Sequence, residues 1–465
     1  MSKAGTRGVA DFALSLRGKR VLVAGLRLFG GGAAAARYLV AQGADVLVTD
    51  LKTEMQLAAS LQELSDLDLE LRLGRHECDD FGEADLVVAN PAIPFRSEYL
   101  QTSIGGGVPV TTEIGLFAAR FPGRTIAVTG TSGKTTTTTL LGQIISNAIP
   151  DTLVGGNMGV SLLEQLPTSS AHTTAVLELS SFQLRYLGMT EWRPDIAVVT
   201  NFAPNHLNIH DGIEDYRHCK QQLIAHQTSH DVTILNADDN EIASWAASTE
   251  ARVSGFGVGR VGDRGVFVDG DCIVCSADGK QVEICRVGDL CIPGEHNQAN
   301  ACAAGCAAVE AGVTLDLIGE GMTSFQGVAH RLEYCGDVDG VSYYNDSIAT
   351  SPERTRVAIE ALRGPLVLIA GGSDKGLDYA ELGKLISELV ARVILIGETA
   401  DRIADTVSGS VVDRVESLED AVLLASRSAK QGDTVLLSPA SASFDMFSNF
   451  EERGWKFKAI VSQLA

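Results

Sequence analysis

The chain has 465 residues, 45% hydrophobic and 21% charged, with a formal net charge of −22. That balance argues against a nucleic-acid or membrane-surface protein, because a phosphate-rich partner would be repelled, although a local site can still hold a nucleotide. The length suggests about three domains, with ample apolar content for buried cores.

The N-terminal Met1-Ser-Lys-Ala-Gly-Thr-Arg stretch leads into a polar segment without a signal-peptide core, and no apolar run is long enough to span a membrane. Nine cysteines, an odd number in a large chain, are expected to be reduced thiols. A soluble cytoplasmic protein is the expectation.

In chain order, Arg20-Val-Leu-Val-Ala-Gly-Leu-Arg-Leu-Phe-Gly30, an alanine-rich helix and Ala44-Asp-Val-Leu-Val-Thr-Asp50 form a βαβ unit. Glycines at the first turn and an acid ending the second strand suggest a dinucleotide fingerprint. Arg27 stands where its second glycine belongs, so the backbone cannot approach a pyrophosphate closely. A third strand, Ala84-Asp-Leu-Val-Val-Ala-Asn90, runs into Pro91-Ala-Ile-Pro94, at the carboxyl edge where open α/β sheets collect ligands.

The second segment opens on Thr125-Ile-Ala-Val-Thr-Gly-Thr-Ser-Gly-Lys-Thr-Thr136. An apolar strand, a glycine-rich turn, then a lysine and a hydroxyl at a helix start make a polyphosphate cradle. Backbone N–H groups of Gly130, Thr131, Ser132, Gly133 and Thr136 face the anion, Lys134 neutralises charge, and the Thr135 hydroxyl can ligate Mg²⁺. The glycines stand two residues closer than in the general phosphate-loop pattern, and a surface turn is the bland alternative. The strand before and the helix after favour binding of ATP or GTP.

Further strands read at Thr174-Ala-Val-Leu-Glu-Leu179, Ile196-Ala-Val-Val-Thr-Asn201 and Val232-Thr-Ile-Leu-Asn236. After Ala251, short strands and turns suggest a small β insertion up to about Pro293, followed by an alanine-rich helix from Asn297 to about Gly312. Cys272, Cys275, Cys285 and Cys291 invite a zinc reading, but their spacing does not fit paired knuckles, and their neighbours alternate like strands. The third segment begins near His330-Arg331 and carries fully apolar runs at 366–372, 392–397 and 433–438, suited to a parallel sheet covered on both faces. The fold class is α/β: three tandem domains with mainly parallel sheets, at 1–122, 123–328 and 329–465.

Glu178 ends an apolar strand of the nucleotide segment, where a carboxylate can hold the Mg²⁺ that bridges nucleotide phosphates; an ordinary polar strand end is the alternative. His206 follows the next strand at the same sheet edge. Lys220, in Tyr216-Arg-His-Cys-Lys220, reads by default as a surface helix lysine.

Taken together, Thr-Gly-Thr-Ser-Gly-Lys-Thr-Thr, Gly156-Asn157-Met-Gly159, Leu177-Glu-Leu-Ser-Ser-Phe-Gln-Leu184 and Asn205-His-Leu207 resemble the motifs of the Mur ligases. So do Gly294-Glu-His-Asn-Gln-Ala-Asn300, His330-Arg-Leu-Glu333, Tyr344-Asn-Asp-Ser-Ile-Ala-Thr350, Gly371-Gly-Ser-Asp-Lys-Gly376 and Leu437-Ser-Pro-Ala-Ser-Ala-Ser-Phe-Asp445. The resemblance covers all three segments in order.

It implies an ATP-dependent amide ligase that adds glutamate to UDP-N-acetylmuramoyl-L-alanine through an acyl phosphate, in the cytoplasmic assembly of peptidoglycan. L-glutamate or another amino acid is the alternative. By the same resemblance, Thr135 and Glu178 would hold one Mg²⁺, and His206 with a carbamoylated Lys220 a second. Lys134 would neutralise the transferring phosphoryl group. Asn297 and Asn300 would contact the adenine side of ATP, and Arg331 and Asp346 the nucleotide from the third domain.

Leu28, Phe29, Asp50 and Asn90 would hold the UDP part of the substrate, with Asn157 near its muramoyl end. Lys375, Ser443 and Phe444 would surround the glutamate. A monomer is expected. Two positions depart from the family pattern: Ile348 replaces a lysine found in some members, removing a positive charge near the amino-acid pocket, and Asn208 replaces a frequent aspartate.

Overall fold

The computed structural model describes residues 15–26, 31–158, 161–205, 209–259, 261–277, 279–362 and 364–464. Leu28, Phe29, His206 and Asn208, to which the resemblance assigns roles or departures, therefore lie outside the described residues, as do Arg27 and Gly159 of the quoted motifs. Among the described residues the strands form three sheets, mostly parallel, as the fully apolar runs with helical stretches between them predict. The chain divides into two compact units: Met1–Asp289 with Gln298–Thr323, and Leu290–Asn297 with Ser324–Ala465. No helix among the described residues is long and apolar enough to cross a membrane.

The first sheet comprises β1 (Arg20–Ala24), β2 (Asp45–Asp50), β3 (Glu70–Leu73), β4 (Leu86–Ala89) and β5 (Val110–Thr111). Its order is β3-β2-β1-β4-β5, with all neighbours parallel. The order reverses between β1 and β4, which opens a crevice at their carboxyl ends. β3 and β5 escape the sequence reading because they are short edge strands of four and two residues, and β3 has an exposed start.

The second sheet, in the same unit, holds β6 (Arg124–Thr129), β7 (Thr152–Gly156), β8 (Thr174–Glu178), β9 (Ile196–Val199) and β10 (Val232–Asn236). It continues through β11 (Arg252–Gly257), β12 (Gly265–Asp269), β13 (Cys272–Ala277) and β14 (Lys280–Arg286). The order β14-β13-β12-β11-β10-β9-β6-β8-β7 corrects one expectation: the strands after Ala251 are no separate insertion but extend the central sheet. β11 pairs parallel to β10, and only β12–β13–β14 turn antiparallel. The glycine-rich, turn-rich composition of this stretch hides that continuity.

The alanine-rich helix runs Glu295–Ala311. Its small side chains, Ala301, Ala303, Ala304, Ala307 and Ala308, are fully buried and allow close approach to the sheet. All nine cysteines are free, and the cysteines of the suspected zinc motif form no cluster among the described residues. Cys275 and Cys285 are buried, as the alternation predicts.

The second unit is built on β15 (Glu333–Val338), β16 (Val341–Asn345), β17 (Leu366–Gly371), β18 (Val390–Ile396), β19 (Val411–Arg414) and β20 (Thr434–Leu437). Its order is β15-β16-β20-β17-β18-β19, parallel except for the β15–β16 hairpin. β17 and β20 are buried along their whole length. Each large aliphatic side chain so buried contributes about 1.5–3 kcal/mol, which makes this pair the anchor for the loops that leave its carboxyl ends.

Candidate active site

The carboxyl ends of β6, β8 and β9 are neighbours in register, with Val128 opposite Glu178 and Thr129 opposite Val199. The loop after β6 turns through Gly130, at φ +150°, and Gly133, at φ +78°, which precedes the helix Lys134–Ala148. A Cβ on Gly130 would lie 1.9 Å from Thr200 Oγ1, and one on Gly133 2.2 Å from Asn300 Oδ1. Both positions therefore demand glycine, for conformation and for space.

The segment after β9 clamps this loop. Thr200 Oγ1 donates to the Ser132 carbonyl at 2.6 Å, Asn201 Oδ1 accepts from Ser132 N at 2.9 Å, and Thr131 N donates to the Asn201 carbonyl at 3.0 Å. Thr131 Oγ1 also meets the Tyr216 hydroxyl at 3.1 Å. Thr135 is partly buried and Thr136 buried at the helix start, where backbone N–H groups are free of intrahelical partners.

Lys134 Nζ donates to the carbonyls of Gly130 at 2.9 Å and Thr131 at 3.0 Å. Lys220 overturns its surface reading. It is 1% exposed, its Nζ donates to the Gly130 carbonyl at 2.6 Å, and it lies 4.8 Å from the Tyr216 ring centroid. Burial, then the Lys134 charge, holds its amine well below the usual lysine range, while Cys219 and Glu178 oppose that fall. Helix Ile213–Ala225 turns Tyr216, Cys219, Lys220, Leu223 and Ile224 inward, so the lysine shares a face with apolar residues.

Glu178 is 3% exposed at the end of β8. Its Oε1 accepts from Asn157 Nδ2 at 3.0 Å, while Oε2 is buried without a hydrogen-bond partner. A buried carboxylate oxygen of this kind fits a cation. Asn157, expected near the muramoyl end of the substrate, is thus joined to the expected metal ligand Glu178 through a direct hydrogen bond. Immediately after the strand, Ser180 caps helix Ser181–Met189 in a reciprocal capping box with Gln183. Asn300, 7% exposed, accepts from Thr137 Oγ1 at 3.3 Å and so lies against the phosphate-loop helix.

At the carboxyl edge of the first sheet, Asp50 accepts from the backbone N–H of Leu26 at 2.7 Å and of Lys52 at 2.8 Å. Asn90 Oδ1 accepts from Ala92 N at 3.0 Å. Both side chains shape turns at the crevice between β1 and β4.

In the second unit, Asn297 Nδ2 donates to the Pro293 carbonyl at 2.7 Å. Asp346 follows β16 and is 5% exposed. It accepts from Leu332 N at 3.2 Å and Ser438 Oγ at 2.7 Å. Burial pushes its carboxyl up to about 7, against those hydrogen bonds and the charges of Arg331 and Arg354. Lys375 Nζ lies 5.7 Å from the ring centroid of Phe444, which is 68% exposed, and Ser443 is buried beside it. Ser373 N donates to the Ala442 carbonyl at 2.9 Å, tying the Lys375 loop to the Ser443 loop.

Three family domains match the chain: the Mur ligase MurD-like N-terminal domain over residues 19–112, the Mur ligase middle domain over 128–308, and the Mur ligase glutamate ligase domain over 330–441. The UDP-N-acetylmuramoylalanine–D-glutamate ligase of Roseiflexus sp. is 42% identical, covering 96% of this chain and 99% of the relative. That of Koribacter versatilis is 41% identical, covering 97% and 99%. The chain is a Mur ligase.

Solved structures show the same fold. MurF from Acinetobacter baumannii aligns with a TM-score of 0.61 at 19% identity, covering 96% of this chain and 93% of that one. MurC from Thermotoga maritima aligns with 0.60 at 19% identity, covering 96% and 100%. This Mur ligase also carries polar side chains that its motifs do not announce. Asn201 and Tyr216 hold the phosphate loop. His210, 4% exposed, joins Ser181 Oγ at 3.0 Å and Asp215 Oδ2 at 3.0 Å. With Cys219 this group has metal-like spacing, but Arg185 Nη2 already lies 2.5 Å from Asp215 and 3.1 Å from His210 Nδ1. The Arg185 guanidinium fills the place of a metal ion.

Proposed function

We propose that this Mur ligase uses ATP to join D-glutamate to UDP-N-acetylmuramoyl-L-alanine, a cytoplasmic step of peptidoglycan assembly. Residues 1–122 bind the UDP substrate, 123–328 the nucleotide, and 329–465 the amino acid. The observation that carries the reading is the group of ionisable side chains at one strand edge: a glycine-built phosphate loop, two lysines on the Gly130 carbonyl, and a buried carboxylate with one uncommitted oxygen.

The alanyl carboxylate is a poor electrophile. It attacks the terminal phosphoryl group of ATP, ADP leaves, and the resulting acyl phosphate is attacked by the glutamate amine, with phosphate as leaving group and the amine proton lost. Lys134 and the backbone of Gly130–Thr136 stabilise charge on the transferring group. Thr135 and Glu178 would hold Mg²⁺, which supplies charge neutralisation to the phosphates. An uncharged Lys220 amine is nucleophilic toward CO₂, and its carbamate, an anion, would stand with His206 at a second Mg²⁺.

Asn297, Asn300, Arg331 and Asp346 contact the nucleotide. Leu28, Phe29, Asp50, Asn90 and Asn157 hold the UDP substrate. Lys375, Ser443 and Phe444 receive glutamate, the lysine and hydroxyl binding its carboxylates. The enzyme acts as a monomer.

The test is a mass-spectrometric assay with UDP-N-acetylmuramoyl-L-alanine, ATP and Mg²⁺, run separately with D- and L-glutamate. A product heavier by one glutamyl residue, with ADP and phosphate released and D-glutamate preferred, is the expected result. L-glutamate preference would move the stereochemical assignment, and no product with either would overturn the substrate pair.

A further inference from the structure

Helix Phe450–Leu464 begins with Phe-Glu-Glu-Arg-Gly-Trp-Lys, a run that reads as a solvated face. Arg453 of that run is nevertheless 0% exposed. Its Nε donates to Ser347 Oγ at 3.0 Å and its Nη2 to the Ser347 carbonyl at 2.9 Å. On the other side, Nη1 donates to the Ala442 carbonyl at 3.1 Å and Nη2 to the Ser441 carbonyl at 3.2 Å.

These four bonds join two loops that leave adjacent strands, β16 and β20. A third loop is packed against the same guanidinium. Gly372, at φ +148°, lies so close that a Cβ there would stand 3.1 Å from Arg453 Nη1 and 2.0 Å from the Ala442 carbonyl. The three loops carry Ile348, Lys375, and Ser443 with Phe444, the residues assigned above to the amino acid or flanking it.

We propose that Arg453 is the positioning residue of the amino-acid site, holding two of the loops by hydrogen bonds, with the Gly372 loop packed against it, and placing a positive charge behind them. The inference rests on the proposed glutamate site and deepens it. A guanidinium presents its donors in a rigid planar fork, so one side chain fixes the angle between two loops as well as their separation. All four hydrogen-bond acceptors are neutral oxygens, so the one carboxylate acting on the guanidinium is Asp445, which follows Phe444, and the charge still contributes to the field at the site.

Burial lowers Arg453 to about 10, with Asp445 opposing, so it stays protonated at neutral pH. A free amino acid with two carboxylates gains most from such a field. Ile348, standing where some family members place a lysine, makes this buried charge the more consequential in the present chain.

The experiment compares wild type, Arg453→Lys and Arg453→Gln, each checked for native secondary structure and a cooperative melt. Two readouts are taken: KM for D-glutamate in the full reaction, and hydroxylamine trapping of the acyl phosphate formed from UDP-N-acetylmuramoyl-L-alanine and ATP without glutamate. A positioning role predicts that KM for glutamate rises tenfold or more in Arg453→Gln, and less in Arg453→Lys, which keeps the charge but loses the fork. Acyl-phosphate trapping would stay within about threefold of wild type. Should Arg453→Gln fail to fold, the lysine variant alone must show the raised KM with trapping preserved. An unchanged KM in a folded variant, or equal losses in both readouts, overturns the proposal. A wild-type protein that traps acyl phosphate but ligates no glutamate overturns the glutamate reading itself, and the inference with it.

Discussion

Lys134 and Lys220 share one acceptor: both amines donate to the Gly130 carbonyl, at 2.9 Å and 2.6 Å. Two ammonium groups so close repel, and the more buried one gives up its proton more readily. In the proposed mechanism Lys134 is the charge on the phosphate loop and Lys220 the amine that takes up CO₂. Lys220→Ala is expected to lower ligase turnover roughly a hundredfold or more, the scale of a lost electrostatic stabiliser. In ¹³CO₂-equilibrated wild type, a carbamate carbon resonance should appear and be missing from the variant. A variant with near-wild-type rate would sink the assignment.

Glu178→Gln removes charge but keeps an oxygen for Asn157. It should leave folding and the thermal midpoint nearly unchanged, yet reduce turnover by about two orders of magnitude and raise the Mg²⁺ needed for half-activation. Titrating activity against Mg²⁺ reads this directly, and an unshifted Mg²⁺ curve would argue that the buried oxygen serves another purpose.

Gly133→Ala brings both a left-handed backbone and a Cβ 2.2 Å from Asn300 Oδ1. The expected cost is about 1–3 kcal/mol in chemical denaturation, with nucleotide affinity weakened as well. Truncating the obstacle should return part of the loss, so Gly133→Ala with Asn300→Ala is expected to be less destabilised than the two single effects added together. Strict additivity would show that the strain is all in the backbone.

Asp346 gives a pH signature. Its carboxyl rises from 3.8 to about 7 on folding, so the folded chain binds more protons between those values. Its contribution to stability is complete below about pH 4 and is lost as pH rises through about 7. At about 1.4 kcal/mol per pH unit, the loss is on the order of 4 kcal/mol. Urea midpoints at pH 5 and pH 8 should therefore converge in Asp346→Asn relative to wild type. Glu113, buried and also raised to about 7 in the other unit, retains its own share in both proteins. Equal pH dependence in the two proteins would remove Asp346 as the source.

The phosphate loop was legible because its chemistry is local: glycines, a lysine and hydroxyls must follow one strand at fixed offsets. Glu178 was legible for the same reason, and the capping box explains why Leu-Glu-Leu-Ser-Ser-Phe-Gln is a recognisable string. Lys220 and Arg453 were not. Each lies in a polar helical run, and burial depends on which face the tertiary fold covers, information absent from short-range spacing. β3 and β5 were lost to brevity. The β11–β14 extension is hidden in the sequence because glycine and turn residues suggest interruption, while strand pairing is decided by partners distant in sequence.

The clamp of Thr200 and Asn201 on Ser132 has a thermodynamic consequence. The loop's shape is maintained by the protein's own hydrogen bonds, so an arriving nucleotide need not order it. The entropy of loop folding then drops out of binding, and affinities across a series of phosphate analogues should follow the charge and number of their own oxygens. Calorimetry on the central site would register a small heat-capacity change, as expected for a mould that keeps its form between one turnover and the next.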